Sequence, residues 1–304
     1  MNWNFEKVAG PCKGPTGGLA WDGKAMYFTA VGEERVLRFD PKKNATEEYR
    51  KWTYRVNGLA TGPNGELYGG QEAGRRVVQF LPGGITTPTA LQLDGCYHNF
   101  PCDLAVDRKG RVWFSDPYNP VPAAGPQMYP LLEHQSVLRM QQDRGWTLQR
   151  MTYDTQGPRA IALSPDEKTL YVADGDTRAK LRELRAYAIE EDGTLAAAYR
   201  VLHTFGADHR GAHRGIEGLC VDDQGDIIAC AGWRQSGPGP LVYVFSPSGA
   251  VIETHPAPCD LPMRVAFGEG ESLYLSAADG HLYRTEAIGR RGANRFSASR
   301  AALV

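Results

Sequence analysis

The chain has 304 residues, of which 42% are hydrophobic and 23% charged, with a formal net charge of −1. That balance belongs to a globular protein with ample core; it excludes the basic footprint of a nucleic-acid binder, and no run approaches the roughly 18 apolar residues that a membrane-spanning helix needs. The first residues, Met1-Asn2-Trp3-Asn4-Phe5-Glu6-Lys7, have neither the basic nor the apolar part of a secretion signal. A cytoplasmic protein is therefore expected, a monomer or homodimer with a small-molecule substrate and no membrane or nucleic-acid partner. Six cysteines are too few for a disulfide framework. Cys220 and Cys230 lie on apolar runs and read as reduced thiols, whereas oxidation could close the short stretch from Cys96 to Cys102.

Taken in order, the chain repeats one unit: a short apolar run, a polar turn and a second apolar run, which is the signature of a β-hairpin. The copies begin Gly18-Leu19-Ala20-Trp21, Gly58-Leu59-Ala60, Leu104-Ala105-Val106, Ile161-Ala162-Leu163, Leu219-Cys220-Val221 and Val265-Ala266-Phe267. Equivalent residues Tyr27, Tyr68, Trp113, Tyr171, Ile228 and Tyr274 lie 41 to 58 residues apart, the range of four-stranded propeller blades with loop insertions. Third strands are expected at Arg35–Phe39, Arg76–Phe80 and Leu241–Phe245, and fourth strands at Glu47–Trp52, Trp146–Tyr153 and Ala196–Phe205. The sixth copy has only three strands, so Phe5–Val8 is expected to complete it and remove the open edge. The expectation is an all-β, six-bladed propeller over residues 1–287 with a flexible basic tail over 288–304. Two inserted loops, Pro117–Leu132 and Gly206–Arg214, are placed to roof one mouth of the channel. Asp107, Asp166 and Asp222 stand beside turns and read as turn residues.

One position recurs at the start of each innermost strand, and the ring it forms reads Gly17, Asn57, Cys102/Asp103, Arg159, Glu217 and Met263/Arg264. Charges that converge on an enclosed axis are costly unless they pair or meet a charged ligand. No nucleophile elbow, phosphate-binding loop, dinucleotide fingerprint or zinc-protease motif occurs.

Phe114-Ser115-Asp116-Pro117-Tyr118, the run from Gly157-Pro158-Arg159 through Tyr171-Val172-Ala173-Asp174, Arg75-Arg76-Val77 and Leu282-Tyr283-Arg284 resemble the senescence marker protein / gluconolactonase / luciferin-regenerating family over about Val8 to Thr285. The resemblance implies a six-bladed propeller, usually a sugar-lactone hydrolase, in which an axial divalent cation, commonly calcium, polarises the lactone carbonyl. The ligands carry over poorly. The first-blade Glu of the family falls on Gly17, the fourth-blade Asn on Arg159 and the fifth-blade Asp on Glu217, while the third-blade Pro-Asn-Asp becomes Pro101-Cys102-Asp103. Calcium takes six to eight oxygens, and here Glu217 alone remains as a metal ligand from that set. Zinc through Cys102, Glu217 and His98 is admissible by ligand type. A metal-free site is the favoured expectation: Arg159 supplies the fixed charge, and Glu217 or Asp103 is the general base. Asn57, His98, Asn99, Cys102, Tyr118, His134 and Arg264 are the expected substrate contacts, with His209 and His213 near the same mouth. A gluconolactonase-like hydrolase of a sugar lactone or related small oxygenated, even anionic, substrate is the leading reading. A metal-independent lyase or isomerase and a non-catalytic binding propeller are the alternatives.

Overall fold

The structure, a computed structural model, describes residues 2–175 and 181–293. Six four-stranded antiparallel sheets follow one another around a central channel. In chain order their innermost strands are Thr16–Trp21, Val56–Thr61, Leu104–Val106, Ala160–Leu163, Ile216–Val221 and Pro262–Phe267, each packed against the next around the ring. The sixth blade closes as expected: Glu6–Ala9 pairs antiparallel with Leu282–Thr285, the register running Glu6 to Arg284. Fourth strands lie at Ala45–Lys51, Trp146–Arg150 and Leu195–Phe205, within a residue or three of their expected bounds. Among the described residues the only helical turns are the single-turn 3-10 pieces Val31–Glu33 and Pro82–Gly84, and no helix is long and apolar enough to cross a membrane.

The apolar runs do not alternate with polar residues because a propeller blade is covered on both faces. The second strands Leu67–Gln71, Val112–Asp116, Ile227–Ala231 and Leu273–Ala277 are buried throughout, whereas the outermost strand Ala45–Lys51 is largely exposed. Side chains of adjacent blades make the core, as where Tyr171 and Leu184 meet Leu219, Ile227 and Tyr243. The turn aspartates act locally. Asp107 accepts from the backbone N–H of Lys109 and Arg111, and Asp222 from those of Gln224 and Asp226, while Asp166 accepts from Lys168 N and Ser164 Oγ. All six cysteines, Cys96 and Cys102 included, are free thiols.

The ring positions are set by a repeated irregularity. The register between first and second strands shifts at Gly17-Gly18, Asn57-Gly58, Glu217 and Met263, and a bulge re-aims side chains and bends the strand. The glycine that follows is required by close approach. A Cβ on Gly18 would lie 2.4 Å from Asn57 O, one on Gly58 2.5 Å from Cys102 O, and one on Gly218 2.5 Å from Arg264 Cα. Each inner strand thus lies against the backbone of another.

Part of the expected tail is anchored. Arg290 donates to Asp222 Oδ2 (2.8 Å) and Asp226 Oδ2 (2.7 Å) and pairs with Glu253 (2.5 Å), and Arg291 O accepts from Asp223 N at 2.8 Å. Residues 288–293 therefore belong with the propeller rather than with a tail, because Arg290 finds three carboxylates on the fifth blade. Arg295 and Arg300 lie outside the described residues.

Candidate active site

The ring residues open into a cavity of about 250 Å³ at one mouth of the channel, walled by Asn57, Cys102, Arg159 and Glu217 together with Arg55 and Glu72. Pro117, Tyr118 and Asn119 from the first inserted loop and Arg214 from the end of the second also line it.

Its floor is Arg264. The guanidinium is buried and donates to Glu217 O, to Met263 O (2.9 Å), and to Cys102 O and Sγ (3.2 and 3.1 Å), while its Nε lies 3.4 Å from Asp103 Oδ1. One planar cation thereby ties the third, fifth and sixth blades together at the axis. Arginine suits this place because its charge is permanent and its donors are fixed in a plane.

Above it the carboxylates sit deep and the guanidinium groups nearer the surface. Glu217 has one oxygen 3.7 Å from Arg159 and the other 3.0 Å from Arg214 Nε; its side chain is 5% exposed, against 28% and 20% for the two arginines. On the opposite wall Arg55 lies 3.3 Å from Glu72, whose other oxygen accepts from the Asn57 side-chain amide. Burial raises the Glu72 pKa above the usual carboxylate range, opposed by the Asn57 hydrogen bond and the Arg55 charge. Arg55 is held in the left-handed region at φ 56°, as are Trp52 and Tyr54 at 58° and 50°, and such backbone persists only where its surroundings over-determine it.

Several expected contacts stand elsewhere. His98 is fully buried behind the third blade, its Nε2 3.1 Å from Ala90 O and its ring against Phe114; burial pushes its pKa down to about 4, so it is a neutral packing residue. Asn99 and His134 are joined to each other, the Asn99 amide donating to His134 O at 2.8 Å, and the His134 ring is bonded to Ser136. These residues position the segment that leads to Phe100 and Cys102 and do not line the cavity, because Asp116 pins that segment by accepting from the N–H groups of Asn99 and Phe100. The His213 ring is used up on Pro238 O and Gly215 N, and exposed His209 does not line the cavity either. Asp103 is also outside the lining. It pairs with Arg264 and accepts from Ile161 N at 3.0 Å, facing a second cavity on the far side. The Cys102 thiol does line the mouth, but burial, only partly offset by Arg264 and Arg159, pushes it up to about 11, which keeps it protonated at neutral pH.

Three site residues were not singled out from the sequence: Arg55, Glu72 and Arg214. Arg55 precedes Asn57 by two and Arg214 precedes Glu217 by three, so proximity to the ring was the available signal. Glu72 follows the second strand of its blade, near the place that Asp116 and Asp174 hold in theirs, but those two accept backbone N–H bonds whereas Glu72 faces the cavity.

The donor set does not fit a divalent cation. The carboxylates of Glu72 and Glu217 are already engaged by guanidinium groups, and four arginines line the same small space. A side chain at Gly17 has no room, since a Cβ there would lie 2.7 Å from Thr29 Oγ1 and 3.0 Å from Asn57 O. His98 is not beside Cys102 and Glu217, and among the described residues no three His, Cys, Asp or Glu side chains cluster as metal ligands would.

A family model described as SMP-30/Gluconolactonase/LRE-like region matches residues 15–279. The chain is 26% identical over 229 residues to a gluconolactonase of Zymomonas mobilis subsp. mobilis, which covers 73% of this chain and 60% of the relative, so it spans about three fifths of that protein's length. Among solved structures, a gluconolactonase of Xanthomonas campestris superposes with a TM-score of 0.78 at 25% identity, covering 93% of this chain and 89% of that one. A calcium-binding protein, regucalcin, of Agrobacterium tumefaciens shares the fold at 16% identity, with a TM-score of 0.72 and coverage of 97% and 96%. With the match running from the first blade to the sixth, the chain belongs to the SMP-30/gluconolactonase/LRE-like family.

Proposed function

We propose that this protein is a lactone hydrolase whose chemistry is carried by a guanidinium in place of a metal ion. The observation that carries the reading is the contact of Arg159 with Glu217, 3.7 Å apart on the wall of the mouth cavity. Kinship with gluconolactonases supports the reaction class.

In this reading the lactone carbonyl oxygen points to Arg159. Water adds to the carbonyl carbon as Glu217 takes its proton, and negative charge develops on the carbonyl oxygen beside the guanidinium. The ring C–O bond then breaks, the leaving oxygen takes up a proton, and a hydroxy acid results. Asn57, Glu72 and Arg55 on the facing wall are placed to hold ring hydroxyls, and Tyr118, 56% exposed at the rim, is free to cover them.

The test is turnover of an aldonolactone panel with and without chelator. Chelation is expected to leave the rate unchanged, while Arg159→Asn and Glu217→Gln each lower kcat by about 10²–10³-fold. Activity lost on chelation and restored by calcium, or Arg159→Asn at full rate, would remove the guanidinium from the mechanism.

A further inference from the structure

The mouth holds more positive charge than hydrolysis of a neutral lactone needs. Pairing the groups by distance, Arg55 meets Glu72 at 3.3 Å, Arg264 meets Asp103 at 3.4 Å, and Arg159 and Arg214 share Glu217 at 3.7 and 3.0 Å. Four guanidinium groups thus face three carboxylates, which leaves one positive charge in a small, largely enclosed space. With Arg159 and Arg214 28% and 20% exposed, water screens part of that charge, and an anionic ligand would meet the rest.

The surplus has an address. Arg264 spends its donors on Glu217 O, Met263 O and Cys102, but among the described residues neither Arg159 nor Arg214 gives a side-chain hydrogen bond. Arg159 stands where the reacting carbonyl is placed. Arg214 lines the cavity, its guanidinium 5.3 Å from the centre of the Trp233 ring and its Nε 3.0 Å from Glu217, and its two terminal nitrogens have no hydrogen-bond partner among the described residues. Its backbone is equally fixed. The adjacent His213 ring is stacked on Phe205 at 4.6 Å, bonded to Pro238 O at 2.8 Å, and accepts from Gly215 N at 2.9 Å. A rigid fork with free donors and unbalanced charge is the receptor for a carboxylate.

Building on the lactonase reading above, we infer that the substrate carries a carboxylate of its own, held by Arg214: the lactone of a polyhydroxy diacid rather than a neutral aldonolactone. The bond changes are those of hydrolysis, with water consumed, the ring C–O bond broken and a dicarboxylate released. A second anion at the mouth also accounts for Arg159 being left free for the oxyanion.

Two substrates that differ only at this point test it: D-galactaro-1,4-lactone, and D-galactono-1,4-lactone with CH2OH where the first has a carboxylate. The expected ratio of kcat/KM is at least ~100-fold in favour of the acid, and it should shrink as ionic strength rises from about 0.05 to about 0.5 M, since part of the attraction is screened. In Arg214→Gln the ratio is expected to fall below about 5, with Arg214→Lys, which keeps the charge but not the fork, in between; the lysine variant serves if the glutamine variant fails to fold. Equal rates on the two lactones in the wild type overturn the inference and leave the lactonase reading standing. Failure to turn over either lactone overturns that reading, and calorimetric titration with galactarate and galactitol then decides the inference: galactarate bound by the wild type and lost in the Arg214 variant upholds it, and no galactarate binding overturns it.

Discussion

The two ends of the channel are built from the same six inner strands and have opposite chemistry. At the mouth where the strands begin, a cavity of about 250 Å³ is lined by Arg55, Glu72, Arg159, Arg214 and Glu217. Toward the strand ends a cavity of about 390 Å³ is walled mainly by apolar side chains such as Leu19, Leu59, Leu104, Ile161, Leu219 and Val265. Arg264, reaching both, is the partition. The bulges and loops, rather than the strands, carry the chemistry. Regular pairing leaves the far end to apolar residues, whereas at the near end the register shifts place Asn57 and Glu217, and the inserted loops bring Tyr118, Asn119 and Arg214.

Removing the partition has the largest expected effect. Arg264→Leu leaves Asp103 buried without its cation and strands the acceptors of three blades, so unfolding in urea should show a loss of about 3–5 kcal/mol, and Asp103→Leu added to it should restore part of that loss. If the single variant is as stable as the wild type, Arg264 does not hold the blades together. A smaller effect, on stability alone, is expected at the far end: Leu19→Ala removes buried packing worth about 2–3 kcal/mol, seen as a lower urea midpoint, while kcat/KM on a lactone stays within a factor of ~2. A fall in kcat/KM alongside would mean that the two ends are coupled. The smallest effect is expected at Cys102, on the mouth side. Because burial pushes its thiol up to about 11, the folded protein keeps it protonated through pH 9, so its alkylation should be slow at pH 7 and still rising about tenfold per pH unit at pH 9 with no plateau, and Cys102→Ser should change kcat by less than about threefold. Rapid alkylation at pH 7 would show a thiolate instead.

Much of the site was readable along the chain because the ring residue sits at one fixed offset from each hairpin, so Asn57, Arg159, Glu217 and Arg264 could be named from six repeats. His98, Asn99 and His134 could not be placed the same way. They lie in a connection whose course is decided by Asp116 capping two of its N–H groups, and a residue's distance from a motif in sequence does not say which way its side chain faces. Asp103 shows the same limit within the ring, since it and Cys102 are neighbours that face opposite cavities of the channel, the one bonded to Ile161 N and the other lining the mouth.

The order of short apolar runs and turn residues determined six blades and the closure by Glu6–Ala9, because burial on both faces and the need to pair every edge act locally and repeat. Which arginine takes the axis, and which carboxylate answers which guanidinium, was decided only when the blades closed. Arg264 and Cys102 are 162 residues apart, and charge pairing in a confined space depends on distances across the ring that no single blade contains.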